Sequence, residues 1–103
     1  MSFKSVCTLD SLWEGEMQVV EVEGLEVLMV NAEGGIVRAF DPICPHQEHA
    51  LVEGTLEGTV LTCPAHLWQF DVASGEGVNP TGCRLKAYPI CIEGDQVLVD
   101  LPD

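Results

Sequence analysis

The sequence predicts an all-β domain of antiparallel sheets, sandwich or barrel-like, on three observations. Short apolar segments recur between glycines, no segment sustains a helical period, and seven of the ten glycines directly follow a glutamate. A glycine accepts the positive φ that tight turns demand, and the carboxylate beside it stays in water. The Glu-Gly pairs at 14–15, 23–24, 33–34, 53–54, 57–58, 76–77 and 93–94 therefore read as turns, with much of the acidic charge at hairpin tips. In chain order, strands are expected over 17–22, 25–30, 36–40, 59–62, 68–71, 85–92 and 97–99. Asp10 to Trp13 is read as a single helical turn capped by Asp10 or Ser11. The segment 51–62, rich in Glu-Gly turns, is expected to span its distance without a core of its own.

Two short segments between the strands carry the chemistry. Cys44-Pro45-His46 follows the strand ending at Phe40, and Cys63-Pro64-Ala65-His66 follows the strand ending at Thr62. Each offers one thiolate and one imidazole from a proline-stiffened loop, and loops carried on hairpins can present four ligands to one point. Two sulfurs and two nitrogens suit tetrahedral zinc as well as iron–sulfur. Zinc sites, however, usually build each half from a matched pair, C-x₂₋₄-C or H-x₃₋₅-H. Here each loop mixes the two types and the first pair is one residue apart. C-x-H followed by C-x-x-H serves two metal atoms, with both Cys on one iron and both His on the other, the ligand pattern of a Rieske 2Fe–2S centre.

The resemblance to Rieske proteins extends beyond those ligands. Pro45 and Pro64 follow the cysteines, and Leu51 stands where the family continues C-x-H-x-x-x-x-L. Trp68-Gln69-Phe70-Asp71 resembles the family's return strand, Gly75-Glu76-Gly77-Val78-Asn79-Pro80 its proline-containing loop, and Leu85 with Tyr88-Pro89-Ile90 the closing strand. The resemblance implies a single Rieske domain over 1–103, with a small cluster-binding subdomain formed by loops near 41–51 and 62–70. It also implies one 2Fe–2S cluster held by Cys44, His46, Cys63 and His66. With two ferric ions, two sulfides and two thiolates the oxidised cluster is neutral, so the iron bound by histidine is the easier one to reduce. It should be the outer iron, with His46 and His66 toward the partner.

Departures from the family pattern narrow the type. Respiratory Rieske proteins carry an extra Cys in each loop, joined as a disulfide; the matching positions here are His49 and Ala65. They also place Ser and Tyr hydroxyls near the cluster sulfurs, where this chain has Trp68 and Phe70. Without those hydrogen bonds, and within an acidic protein, the potential is expected near the low end of the Rieske range, roughly −150 mV. The strings Cys44-Pro45-His46-Gln47-Glu48 and Cys63-Pro64-Ala65-His66-Leu67-Trp68 are similar to the ferredoxin component of toluene monooxygenase systems. That resemblance implies an electron carrier in aromatic hydrocarbon catabolism, fed by an NADH-dependent flavoprotein reductase and delivering to a diiron hydroxylase. Ferredoxins of aromatic-ring dioxygenases more often have Gly where Leu67 stands, and they are the alternative, followed by a nitrite-reductase-like small subunit. A zinc-stabilised interaction module is the reading from a different class.

Charge and composition limit the remaining classes. A formal net charge of −13 argues against nucleic acid and anionic membranes, whose affinity for proteins comes largely from cations. It suits a partner with a basic docking face, with the carrier a monomer when free. The start of the chain has no apolar signal-like stretch, so a cytoplasmic protein is expected. No enzyme is expected either. A Rieske oxygenase needs a further iron on two His and a carboxylate, yet only His49 of three histidines is unassigned. His49 is read as a surface or supporting residue. Trp68, beside the second loop, is read as a possible partner contact against the alternative of a packing residue. Cys7 and Cys91 are read as small buried hydrophobes, and Cys83 as more exposed.

Overall fold

The computed structural model describes residues 2–43, 50–64, 68–78 and 84–101. Among these residues the chain is built from eleven strands and two single 3₁₀ turns. The strands are β1 (Ser2–Thr8), β2 (Glu16–Val22), β3 (Leu25–Ala32), β4 (Ile36–Phe40), β5 (Thr55–Glu57) and β6 (Val60–Thr62). They continue with β7 (Gln69–Asp71), β8 (Gly77–Val78), β9 (Ala87–Tyr88), β10 (Ile90–Glu93) and β11 (Gln96–Leu101). They form three antiparallel sheets ordered β1-β11-β10, β2-β3-β4-β9 and β5-β6-β7-β8. All-β architecture is thus what the glycine-punctuated pattern foretold.

The sheet containing β3 lies between the other two. Leu28, Val30 and Ala32 face a first core with Phe40, Leu51, Leu61, Cys63, Phe70, Val72 and Leu85. Val27 and Met29 face a second core with Leu12, Val37, Ala39, Tyr88, Val97, Val99 and Leu101. Burial on both faces explains why β3 reads as a nearly unbroken apolar run instead of an alternation. Its one buried polar side chain, Asn31, donates through Nδ2 to the Leu12 carbonyl at 2.9 Å and so holds the β1–β2 connection in place.

Several local expectations are corrected. The helical turn runs over Leu9–Ser11, not from Asp10 onward, and Thr8 precedes it as cap. The Thr8 N–H donates to Ser11 Oγ at 3.3 Å, and that hydroxyl donates back to the Thr8 carbonyl at 2.8 Å. The strand expected over 85–92 is two strands in two different sheets, β9 and β10, split at Pro89, which has no N–H for a ladder. Segment 51–62 does contribute to a core, because Leu51 and Leu61 are fully buried. Cys91 is exposed and Cys7 half-buried, contrary to the expected burial; Cys83 lies outside the described residues.

Five of the seven Glu-Gly glycines have positive φ, so most of those pairs turn as expected. At 23–24 both residues do, Glu23 at 52° and Gly24 at 85°, as a type I′ hairpin turn requires. Gly54 and Gly77 do not, and Gly54 is glycine for a reason of space given below.

Tyr88 supplies a pH-dependent contribution to this frame. Burial first, and the Asp41 carboxylate second, raise its phenol above the ordinary value near 10. A raised folded value means that stability present below that ordinary value is lost as pH rises through the folded one. Alkaline melting curves should therefore show a fall in Tm above about pH 10 that Tyr88→Phe removes.

Candidate metal centre

The described residues fix the roots of both candidate cluster loops. The first loop leaves Phe40 through Asp41, whose Oδ1 accepts the Ile43 N–H at 3.0 Å in an Asx turn. It returns at Ala50, which bridges Ile43, while the Leu51 N–H donates to the Pro42 carbonyl at 2.9 Å. The second loop is closed by the Thr62–Gln69 pair, and the Cys63 N–H donates to the Trp68 carbonyl at 2.7 Å. The root of each loop is therefore closed by backbone hydrogen bonds and stands on residues of the first core.

The two roots also touch one another. After the first loop the chain makes a 3₁₀ turn over Leu51–Glu53, ends it at Gly54 (φ −83°), and enters β5, which pairs with β6. A side-chain carbon at Gly54 would land on the Thr62 carbonyl oxygen and within 3.2 Å of the Leu51 carbonyl oxygen. Only a residue without one lets the exit of the first loop lie against the strand that feeds the second. The Glu-Gly pair at 53–54 reads as a turn, and close backbone approach is invisible in such a pair.

Of the four candidate ligands, Cys63 is described. It is fully buried and belongs to the first core, so its sulfur is held from behind by packed side chains. Cys44, His46 and His66 lie outside the described residues, as does His49. The segment 79–83 also lies outside them. The described residues on either side of it are joined by the Glu76–Arg84 bridge and by the Leu85 N–H donating to the Gly75 carbonyl at 2.7 Å.

Cys63 on its buried root, His66 three residues further on in the sequence, and Cys44 and His46 in the segment whose exit lies against that root form a donor set suited to a 2Fe–2S cluster. Phe70 is fully buried in the first core, so the position matched to a tyrosine in respiratory proteins offers no hydroxyl here. Trp68 is half-buried and packs against the first core. That gives it a packing role and leaves part of the ring at the surface, so the two readings of this residue are not exclusive. Trp68→Ala should cost stability, though less than the ~3–5 kcal/mol of a fully buried aromatic, and should also slow electron delivery. Thermal melting and stopped-flow transfer on one variant separate the two contributions.

The family model for the Rieske [2Fe-2S] domain matches residues 2–89, and the chain belongs to that family. It is accordingly an electron-transfer protein with one Rieske-type cluster and not itself an enzyme. The ferredoxin component of the alkene monooxygenase system of Xanthobacter autotrophicus (strain ATCC BAA-1158 / Py2) is 48% identical over 100 residues, covering 96% of this chain and 81% of that one. The ferredoxin component of the naphthalene 1,2-dioxygenase system of Pseudomonas aeruginosa is 39% identical over 89 residues, covering 85% of each. Among solved structures, the Sphingomonas yanoikuyae B1 ferredoxin superposes with a TM-score of 0.86 at 31% identity, covering 98% of this chain and all of that one. Among the described residues, no helix is long and apolar enough to cross a membrane.

Proposed function

We propose that this single Rieske domain is the one-electron shuttle of a multicomponent monooxygenase acting on an unsaturated or aromatic hydrocarbon. Cys44 and Cys63 would hold one iron of its cluster and His46 and His66 the other. The cluster, when bound, accepts and releases one electron at a time. The protein's part is to root both loops on a rigid core and to present the imidazole side to a partner. Electrons arrive from an NADH-dependent flavoprotein reductase and leave to a diiron oxygenase component.

The carrying observation is the 48% identity, over nearly the whole chain, to a monooxygenase ferredoxin, against 39% to a dioxygenase ferredoxin. The toluene systems expected from the loop strings and the alkene system of that relative share the monooxygenase class; their substrates differ. Leu67, where dioxygenase ferredoxins more often have glycine, favours the same side.

The test is reconstitution. Cluster reduced by the reductase and NADH should be reoxidised on adding a monooxygenase hydroxylase, its substrate and oxygen. Reoxidation by a ring dioxygenase but not by any such hydroxylase would turn the assignment to the alternative. Electron paramagnetic resonance of the reduced protein should show hyperfine coupling to imidazole nitrogen.

A basic docking face on the partner follows from the charge of −13. Second-order transfer rates should then fall as salt shortens the Debye length from about 30 Å at 0.01 M to about 8 Å at 0.15 M. Salt-independent rates would leave the acidity serving solubility alone.

A further inference from the structure

The end of the molecule away from the cluster loops carries its own distinctive surface. β4 starts at this end with Ile36 and finishes at Phe40, where the first loop begins; β6 starts here at Val60 and finishes at Thr62, beside Cys63. Three backbone hydrogen bonds gather the turns of this end. The Glu33 N–H donates to the Gly58 carbonyl at 3.1 Å, Gly15 to Asn31 at 2.6 Å, and Leu9 to Asp95 at 2.8 Å.

Trp13 stands in the loop so assembled. Its side chain is 69% exposed and it takes no place in either core, yet it is held in position. Its indole Nε1 donates to the Asp10 carbonyl at 2.7 Å, and its backbone N–H donates to Glu16 Oε1 at 2.8 Å. A large aromatic face kept in water and already fixed loses little rotamer freedom on contact, which is the character of an interface anchor. Asp10, Glu14, Glu16, Glu33, Glu57 and Asp95 are all exposed at the same end. Glu14 and Glu33 flank a shallow cleft floored by Gly15 and Gly58.

The chain's four cations are committed elsewhere. Lys4 pairs with Glu23 at 2.8 Å, Arg38 is turned onto the Val37 and Ala73 carbonyls, Arg84 lies 3.9 Å from Glu76, and Lys86 sits over the Tyr88 ring. A fixed indole face among unopposed carboxylates matches one chemistry best. A guanidinium can stack on the ring and pair with a carboxylate in the same pose, which an ammonium does less well.

We propose that this end is a second docking surface, on which Trp13 and its neighbouring glutamates receive an arginine-bearing protein surface while the cluster loops stay free. The use of such a contact rests on the electron-carrier reading. A tether remote from the cluster lets the carrier turn between donor and acceptor without leaving the complex, raising its effective concentration there. The contact itself is a property of the ferredoxin alone and is tested on it alone.

Isothermal titration of the cluster-loaded protein with octa-arginine and octa-lysine peptides at about 0.01 M salt supplies that test. The arginine peptide should bind more tightly. Trp13→Ala should weaken it about tenfold and leave the lysine peptide nearly unchanged, Trp13→Phe should keep part of the preference, and Glu14→Gln with Glu33→Gln should weaken both peptides. Unchanged visible spectra and melting temperatures certify that the variants are folded. Equal affinity for the two peptides, or an arginine preference that survives Trp13→Ala, overturns the proposal. In the reconstituted system, Trp13→Ala should raise the half-saturating ferredoxin concentration for one partner about tenfold at unchanged maximal rate. An unchanged value for both partners overturns the tether. Should the wild-type protein pass no electrons there, the carrier assignment fails, and the peptide titrations still decide the surface.

Discussion

His46→Ala or His66→Ala should yield a protein that has lost its visible absorption and nearly all its iron and acid-labile sulfide, whereas His49→Ala should keep all three. Removing one imidazole would leave the histidine-bound iron one ligand short. Cys63→Ala should lose the cluster too, and with it some stability, because Cys63 is fully buried in the first core. Iron and sulfide analysis beside far-ultraviolet circular dichroism checks each variant. Retention of the cluster by His66→Ala, or its loss from His49→Ala, would overturn the ligand assignment.

Gly54→Ala should be the most damaging alanine substitution among the glycines whose surroundings are described. Its added carbon falls on the Thr62 carbonyl oxygen, and both partners are backbone, so neither can swing aside as a side chain would. Overpacking of this kind costs about 1–3 kcal/mol or more. For a domain of this size each kcal/mol lowers Tm by roughly 4–8 °C. Because the clash separates the exit of the first loop from the strand leading to Cys63, cluster content should fall along with stability. Gly24→Ala is the control. Nothing lies within 4 Å of its added carbon, and only the left-handed backbone (φ 85°) resists it, at about 1–2 kcal/mol. Gly54→Ala melting no lower than Gly24→Ala, with full iron, would mean that the two loop roots are not in the contact described.

The sequence made the broad plan legible because its signals are local. Glycine after glutamate marks a turn whatever surrounds it, and β2, β4 and β7 fall within a residue of their expected bounds. Strands β1, β5 and β8 lack such signals. β1 reads Ser-Phe-Lys-Ser-Val-Cys-Thr, too mixed to stand out, and is a strand because β11 pairs along its length, with a register irregularity between Ser5 and Cys7. β5 and β8 are three and two residues long and exist only as edges added to β6 and β7. Cys91 alternates with isoleucines as a core residue would, yet β10 is an edge strand with that face in water. The candidate ligands are proposed from the spacing of C-x-H and C-x-x-H, and of the four only Cys63 is described. What spacing does not carry is the support behind them: the closeness of Gly54 to Thr62 and the inclusion of Cys63 in a core are long-range facts.

The double burial of β3 divides labour within a small protein. Its even-numbered residues back the sheet that carries Cys63, and its odd-numbered ones, Val27 and Met29, back the sheet of β1, β10 and β11. The outer sheet is thus a keel, packed on the face of a shared central plank opposite the core that holds Cys63. Evolution or an engineer can harden or soften that keel for a hotter or colder setting by exchanging Val97, Val99 or Leu101, and the voltage of the carrier should not notice.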